Sequence, residues 1–404
     1  MSQRHKHLHR RRASSVTVAL DQIPLNHSQQ SPSPEPEVRP LPGRRRQMER
    51  DRYRSKGLWS DVKTGRWLLA PASSFKLSLI APSLYLIHHL LTINGIISFG
   101  QVPNVFEHFI LPSNKLEDGR YGKSWWDFAF LAHYVIFWTF VRQFVTVRVL
   151  RPMAKALGVK GKKIVRFTEQ GYAFFYFGLL GACGLYVMHD LPIWWFKTEH
   201  FWLEYPHRKM TLQLKTYYLL QAAYWLQQTI IMIAKIEKPR KDYNELVAHH
   251  IVTLWLIGWS YTFYLTYIGV AIFITMDVSD LFLGLAKCVN YVSEFYSVPL
   301  FAWFTIVWTY MRHYLNIVII YSVWAQFDLI PLPDRTAFDP LNDQWIDWWM
   351  KWQIFTPILL LQVLNLTWYY LILRILVRAL FLNDRKDERS DDEDEVEGDE
   401  VKEK

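Results

Sequence analysis

The chain has 404 residues, a formal net charge of +9, 51% hydrophobic content and only two cysteines, Cys183 and Cys288, both inside apolar stretches. That cysteine usage excludes a disulfide framework and a cysteine metal site, and no nucleic-acid-binding motif accompanies the basic charge. A mean hydropathy of −0.01 averages very polar ends with a very apolar middle, which argues against a soluble globular domain.

Residues 1–43, rich in Arg, His, Ser, Pro and Gln, are expected to be disordered and extended. The opening MSQRHKHLHRRR has no apolar core, so it reads as no cleavable secretory signal, and the first span takes over targeting. From about residue 70 to 382, apolar stretches of roughly 20 residues recur, the length that crosses a hydrocarbon core. They predict spans at 74–98, 126–147, 168–190, 213–234, 245–267, 269–290, 298–325 and 352–381. The fold class is therefore all-α: a polytopic membrane helix bundle of about eight transmembrane helices, with disordered polar tails. Its regions are a basic, Pro-rich N-terminal part (1–66), a first span with its loop (67–125), a membrane domain (126–382) and an acidic tail (383–404).

Charge sets the orientation. Segments 44–66, 148–166 and 235–241 are strongly basic, whereas 326–347 carries five Asp against one Arg. Alternating the chain from a cytosolic N-terminus puts every strongly basic loop inside and the acidic loop outside. An even number of spans then returns the tail KDERSDDEDEVEGDEVKEK to the cytosol. The basic juxtamembrane segments suit an anionic cytoplasmic lipid surface.

Within the apolar middle lie His249-His250 and, after the next apolar run, Asp277-Val278-Ser279-Asp280. Ionisable groups at membrane depth cost on the order of 2.5–3.5 kcal/mol each, and they are usually functional. One helix from His249 to Tyr291 would be about 60 Å long, twice the hydrocarbon thickness, so the chain must turn back. Tyr267-Ile268-Gly269 is the expected turn, because glycine permits a tight connection. Measured from there, His250 lies roughly 26 Å up its helix, Asp280 roughly 18 Å and Asp277 roughly 14 Å, which makes Asp280 the nearer partner of the imidazoles. Asp277 and Asp280 share a helix face, and Lys287, on roughly the same side, could neutralise one of them. The competing reading is a buried polar network that only ties helices together. Metal is not expected: adjacent imidazoles point about 100° apart on a helix, and the clustered histidine motifs of di-iron enzymes are missing.

His249-His250, Thr253, Ser260-Tyr261, Gly269, Asp277-x-Ser279-Asp280, Leu283, Lys287 and Asn290-Tyr291 resemble the signature of ceramide synthases, within the TLC-domain family. The likeness is closest to the fungal members, through EKPRKDYNELVAHHIVT and RKDERSDDEDE, and covers roughly residues 120–395. Gly284 and Met276 stand where animal relatives often carry Glu and His.

The resemblance implies acyl transfer from fatty acyl-CoA to the amine of a sphingoid base, with no cofactor beyond the acyl-CoA co-substrate. Catalysis falls to His249, His250, Asp277 and Asp280, and substrate binding to Ser260, Lys287 and Asn290. The chemistry suits these residues. An ammonium must lose a proton before it attacks, and an imidazole near neutrality can take that proton or carry the acyl group itself. The resemblance implies an acyl-imidazole route with one histidine of the pair as nucleophile. Which of the two stays open in the sequence, with His249 preferred, His250 as its positioning or proton-handling neighbour, and Asp280 or Asp277 orienting an imidazole and accepting charge from the ammonium. It also implies very long acyl chains, residence in the endoplasmic reticulum, a small single-span accessory subunit, homo- or heterodimerisation, and phosphorylation at Ser15 and Ser390. The alternatives are a non-catalytic TLC protein that senses or moves lipid, and an acyltransferase acting on a hydroxyl.

Overall fold

In hydrocarbon a backbone must satisfy its own amides, so long apolar runs fold as helices. The computed structural model describes residues 47, 51, 53–97, 102–236, 242–342, 344–378 and 380. Residues 1–50 and 51–404 separate into two compact units; the first is described only at Gln47, and everything below belongs to the second. The tails expected to be disordered, with Ser15 and Ser390, lie outside the described residues.

The long helices are α1 (Pro71–Ile93) and α2 (Asp127–Ala156), α3 (Lys163–His189), α4 (Leu212–Ile233), α5 (Tyr243–Thr262) and α6 (Thr266–Asn290). After them come α7, a rod over 294–326 whose middle turn Thr309–Leu315 is π-helical, and α8 (Met350–Val377). Among the described residues there are no β-strands, only isolated bridges in loops. Five helices, α1, α2, α3, α6 and α8, are long and apolar enough to cross a membrane, so this is an all-helical, multi-pass membrane protein. Polar side chains along α4, α5 and α7, such as Gln221, His249 and Arg312, keep those three below the same measure of hydropathy.

α6 is the axis of the bundle. Of its apolar window 67% is buried inside the protein, against 11% for α1, which lies at the margin. α6 packs most extensively on α3, and it also touches α5 and α7, while α8 packs on α5 and α7.

The two ends of the bundle differ in charge and in how they are tied. At the acidic end, the Tyr121 and Met210 backbones exchange hydrogen bonds of 2.8 and 2.9 Å, and the Tyr205 hydroxyl donates to the Phe263 carbonyl at 2.8 Å. The Lys123 ammonium lies over the rings of Tyr264 and Trp345 at 3.3 and 4.3 Å. Just inside, Lys215 is fully buried and meets Asp127 at 2.7 Å. It also donates to the carbonyls of Ser113 and Gly122 at 2.8 and 2.7 Å, which uses all three ammonium donors. At the basic end, Arg151 donates to the Tyr53 hydroxyl at 2.9 Å and Gln143 to the Leu68 carbonyl at 2.9 Å.

The fold-back corrects one expectation. The chain turns at Phe263–Leu265, not at Tyr267–Gly269. The Leu265 amide closes the turn on the Ser260 carbonyl at 2.8 Å, and Tyr205 satisfies Phe263. Gly269 lies one turn inside α6, where a Cβ would overlap the Tyr218 hydroxyl. The glycine serves a close side-chain approach and not a bend.

Candidate active site

Moving the turn changes the heights of the ionisable residues. At about 1.5 Å per residue, His249 and His250 stand roughly 21 and 20 Å up α5, Asp277 roughly 18 Å and Asp280 roughly 22 Å up α6. Asp280 is therefore level with the histidines, and Asp277 sits about one turn deeper. All four lie toward the basic end.

His249 and His250 are both buried, with ring centroids 5.9 Å apart and planes nearly perpendicular at 86°. Trp225 of α4 stands against both, edge to face, at 5.4 and 5.7 Å. Trp368 of α8 closes on His249 at 5.4 Å. His250 Nδ1 is 2.8 Å from the Leu246 carbonyl, one helical turn back. A carbonyl only accepts, so Nδ1 carries the proton and Nε2 is left with a lone pair. His249 Nδ1 and the Trp225 indole N–H are buried without a hydrogen-bond partner.

The two aspartates have separate surroundings. Asp277, fully buried, accepts from Gln221 Nε2 of α4 at 2.5 Å. Gln221 in turn accepts from the Tyr176 hydroxyl at 2.8 Å and donates to Tyr217 at 3.1 Å. The other oxygen of Asp277 has no partner. Asp280 meets Arg312 of α7 at 2.7 Å. That guanidinium also donates to Ser279 Oγ at 2.6 Å and Asn365 Oδ1 at 3.0 Å, and lies 4.1 Å from the Trp308 ring centre.

The sequence reading missed Arg312. It is the only Asp, Glu, Lys or Arg in the predicted span 298–325, so the rule that singled out the histidines pointed to it as well. It sits in the π-helical turn of α7, the kind of irregularity that often marks a functional position.

Two cavities meet at the histidines. A polar one opens at the basic end past Arg142, Glu169 and Asp242 and reaches His249, His250, Asp280 and Arg312. An apolar one runs the other way, between α4, α5, α6 and α8, past Leu256, Ile272, Met276 and Ile358. Among the described residues only His249 and Trp225 line both.

Of the remaining predicted residues, Ser260 lines the apolar cavity, while Lys287 and Asn290 line neither. Asn290 is exposed and accepts from the Ser297 hydroxyl at 2.8 Å, where α6 hands over to α7. Asp277 lines neither cavity. Gly284 faces α3: a Cβ there would lie 3.0 Å from the Phe174 amide nitrogen, so any larger residue would push α3 away. Met276 forms part of the apolar wall.

Fold and site together define a polytopic membrane protein with a buried imidazole at the junction of a polar and an apolar cavity. The chain belongs to the TLC-domain family, whose profile matches residues 166–374, from α3 to α8. It is 41% identical over 359 residues to the sphingosine N-acyltransferase lac1 of Schizosaccharomyces pombe, an alignment covering 86% of this chain and 89% of the relative. To the ceramide synthase LAG1 of Saccharomyces cerevisiae it is 43% identical over 287 residues, covering 70% and 69%. To the sphingosine N-acyltransferase-like protein FUM17 of Gibberella moniliformis it is 40% identical over 339 residues, covering 80% and 82%.

Proposed function

We propose that this protein is a ceramide synthase, which transfers a fatty acyl group from acyl-CoA to the amine of a sphingoid base. The observation that carries the reading is the position of His249 at the junction of the two cavities. A thioester is polar on its CoA side and apolar on its acyl side, and only a residue facing both spaces meets the carbonyl carbon between them. The names of the related fungal proteins support the same reaction.

In the first half-reaction the imidazole of His249 attacks the thioester carbonyl, the C–S bond breaks, and the thiolate leaves toward the polar cavity. In the second, the sphingoid amine attacks the acyl-imidazole and the C–N bond to His249 breaks. The ammonium first gives one proton to His250 Nε2, whose lone pair is kept available by the bond from Nδ1 to Leu246. The second proton, released from nitrogen as the amide forms, neutralises the CoA thiolate. Asp280 lines the space where the ammonium enters, so it attracts and orients the amine. The Trp225 indole N–H, buried without a partner beside His249, supplies a donor for the oxyanion that forms in both steps. Asp277 acts from behind, holding α4 to α6 through Gln221. Ser260 remains a binding residue on the acyl side, and no cofactor or metal takes part.

The same reading counts α4, α5 and α7 as spans, giving eight, with the basic end and both termini in the cytosol. Endoplasmic reticulum residence, a single-span accessory subunit, dimerisation, phosphorylation at Ser15 and Ser390 and very long acyl chains rest on the family likeness alone.

The test is an assay of membranes carrying the wild type, His249→Ala, His250→Ala, Asp277→Asn or Asp280→Asn with labelled acyl-CoA. Acyl label is expected to accumulate on the wild type before amine is added, and to be lost in His249→Ala. Full N-acylation by His249→Ala would sink the mechanism, and loss of the protein-bound label in His250→Ala alone would exchange the two roles. A protein that binds sphingoid base and acyl-CoA but never joins them would be a lipid sensor or carrier instead.

A further inference from the structure

The apolar cavity has a built floor. It starts at His249 and Trp225 and runs along α5 to Ser260, eleven residues or about 16 Å lower. The neighbouring helices agree in direction. Along α6 its lining descends from Met276 to Ile268, with Leu265 of the turn beneath, and along α4 from Trp225 to Tyr218.

At the bottom, the Tyr218 hydroxyl is hydrogen-bonded to Ser260 Oγ. Ser260 itself donates to the Leu256 carbonyl at 2.6 Å, so Tyr218 is the donor of the pair. This crossbar joins α4 to α5 across the tunnel. Gly269 of α6 lies directly against it, with no room for a Cβ beside the Tyr218 hydroxyl.

The crossbar is braced from below. The Tyr218 ring stacks on Tyr261 at 5.7 Å and meets the edge of Phe273 at 5.3 Å. The Tyr261 hydroxyl donates to Asp127 at 2.8 Å, and Asp127 is held by Lys215, one turn before Tyr218 on α4. A fully satisfied buried ion pair thus stands behind the floor, and every member is tied to a different segment.

We propose that Tyr218, Ser260 and Gly269 form the stop that measures acyl chain length. This rests on the reading of the apolar cavity as the acyl site. With the carbonyl fixed at His249 and the floor braced, length is read as a distance between two rigid points. The roughly 16 Å descent to Ser260 takes a straight chain shorter than the very long ones the family likeness implies. A chain that overruns that distance must displace the Tyr218 crossbar. Chain-length preference is therefore set at the acidic end of the bundle, far from the residues that make the amide bond.

The test offers the full-length protein in its membrane a mixture of acyl-CoAs of graded length with one sphingoid base and reads the ratio of ceramides formed. A ratio taken in one tube does not depend on how much enzyme folds. Tyr218→Leu lowers the floor and is expected to shift the ratio toward longer chains, by tenfold or more for a chain that first overruns the wild-type tunnel, since one methylene in a hydrophobic pocket is worth about 10–200-fold. Gly269→Ala drives Tyr218 into the tunnel and is expected to shift it the opposite way. Should Tyr218→Leu yield no product, Ile268→Ala enlarges the same floor from α6 and carries the same expectation. An unchanged product ratio in active floor variants would overturn the proposal while leaving the His249 mechanism intact. Failure of the acyl reading itself would show as N-acylation surviving His249→Ala.

Discussion

Asp280 and Arg312 meet at 2.7 Å across the seam between α6 and α7, with the guanidinium 2% exposed. Taking both charges out of water costs several kcal/mol per ion, offset only by close geometry and further hydrogen bonds, which Ser279 and Asn365 supply beside the cation–π contact with Trp308. Removing one partner strands the other, at about 3–5 kcal/mol. Arg312→Met is thus expected to lower the unfolding temperature in detergent more than the double variant Asp280→Asn/Arg312→Met does. A double variant as unstable as the single one would show that the charges do not compensate each other.

Asp277 and Gln221 share a different kind of bond. Asparagine at 277 keeps an oxygen that accepts from Gln221, whereas alanine leaves the buried Gln221 amide unsatisfied, at about 1–3 kcal/mol. Asp277→Asn should therefore melt close to the wild type and Asp277→Ala well below it, as read by thermal unfolding of the purified protein.

Trp225→Phe keeps the aromatic edge against both histidines and removes only the N–H. Loss of one oxyanion donor lowers kcat by about 10²–10³. The expected pattern is a fall of that size in kcat with KM for acyl-CoA little changed, and slower loading of acyl label. A wild-type kcat would remove Trp225 from the mechanism.

Asp61 lies outside the spans, before α1, and is buried. Burial pushes its carboxyl upward. Hydrogen bonds from the Ser55 and Ser73 hydroxyls and the Lys56 amide, helped by Arg66, outweigh that and hold it below the ordinary carboxylate range. A depressed carboxylate stabilises the fold above its unfolded pKa, and that stabilisation disappears as pH falls through the folded value. Hydrogen exchange over 55–73, corrected for intrinsic rates, should be slow at neutral pH and quicken only below the ordinary carboxylate range. Asp61→Asn should exchange fast at both.

Much of this protein was legible in its residues. Long apolar runs allow only helices where no water can satisfy the backbone, so the all-helical bundle followed from composition and span length. Buried ionisable groups are costly, so His249, His250, Asp277 and Asp280 stood out without any structure. Gly269 misled, because a glycine looks the same in sequence whether it frees a turn or makes room for a neighbour. Arg312 shows the reach of that limit: the cation that meets Asp280 at 2.7 Å comes from thirty-two residues further on, where no helical spacing points to it.

Helix periodicity and the cost of buried charge are local properties, and they determined by themselves the class of fold and which ionisable side chains would sit at membrane depth. Pairing and depth were decided only by the packing of α4, α7 and α8 around α5 and α6. It gave Asp280 to Arg312 and Asp277 to Gln221, and it put His249 where two cavities meet. It also closed the lower cavity with a tyrosine from another helix. These are distances between segments far apart in the chain, and no period along one helix contains them.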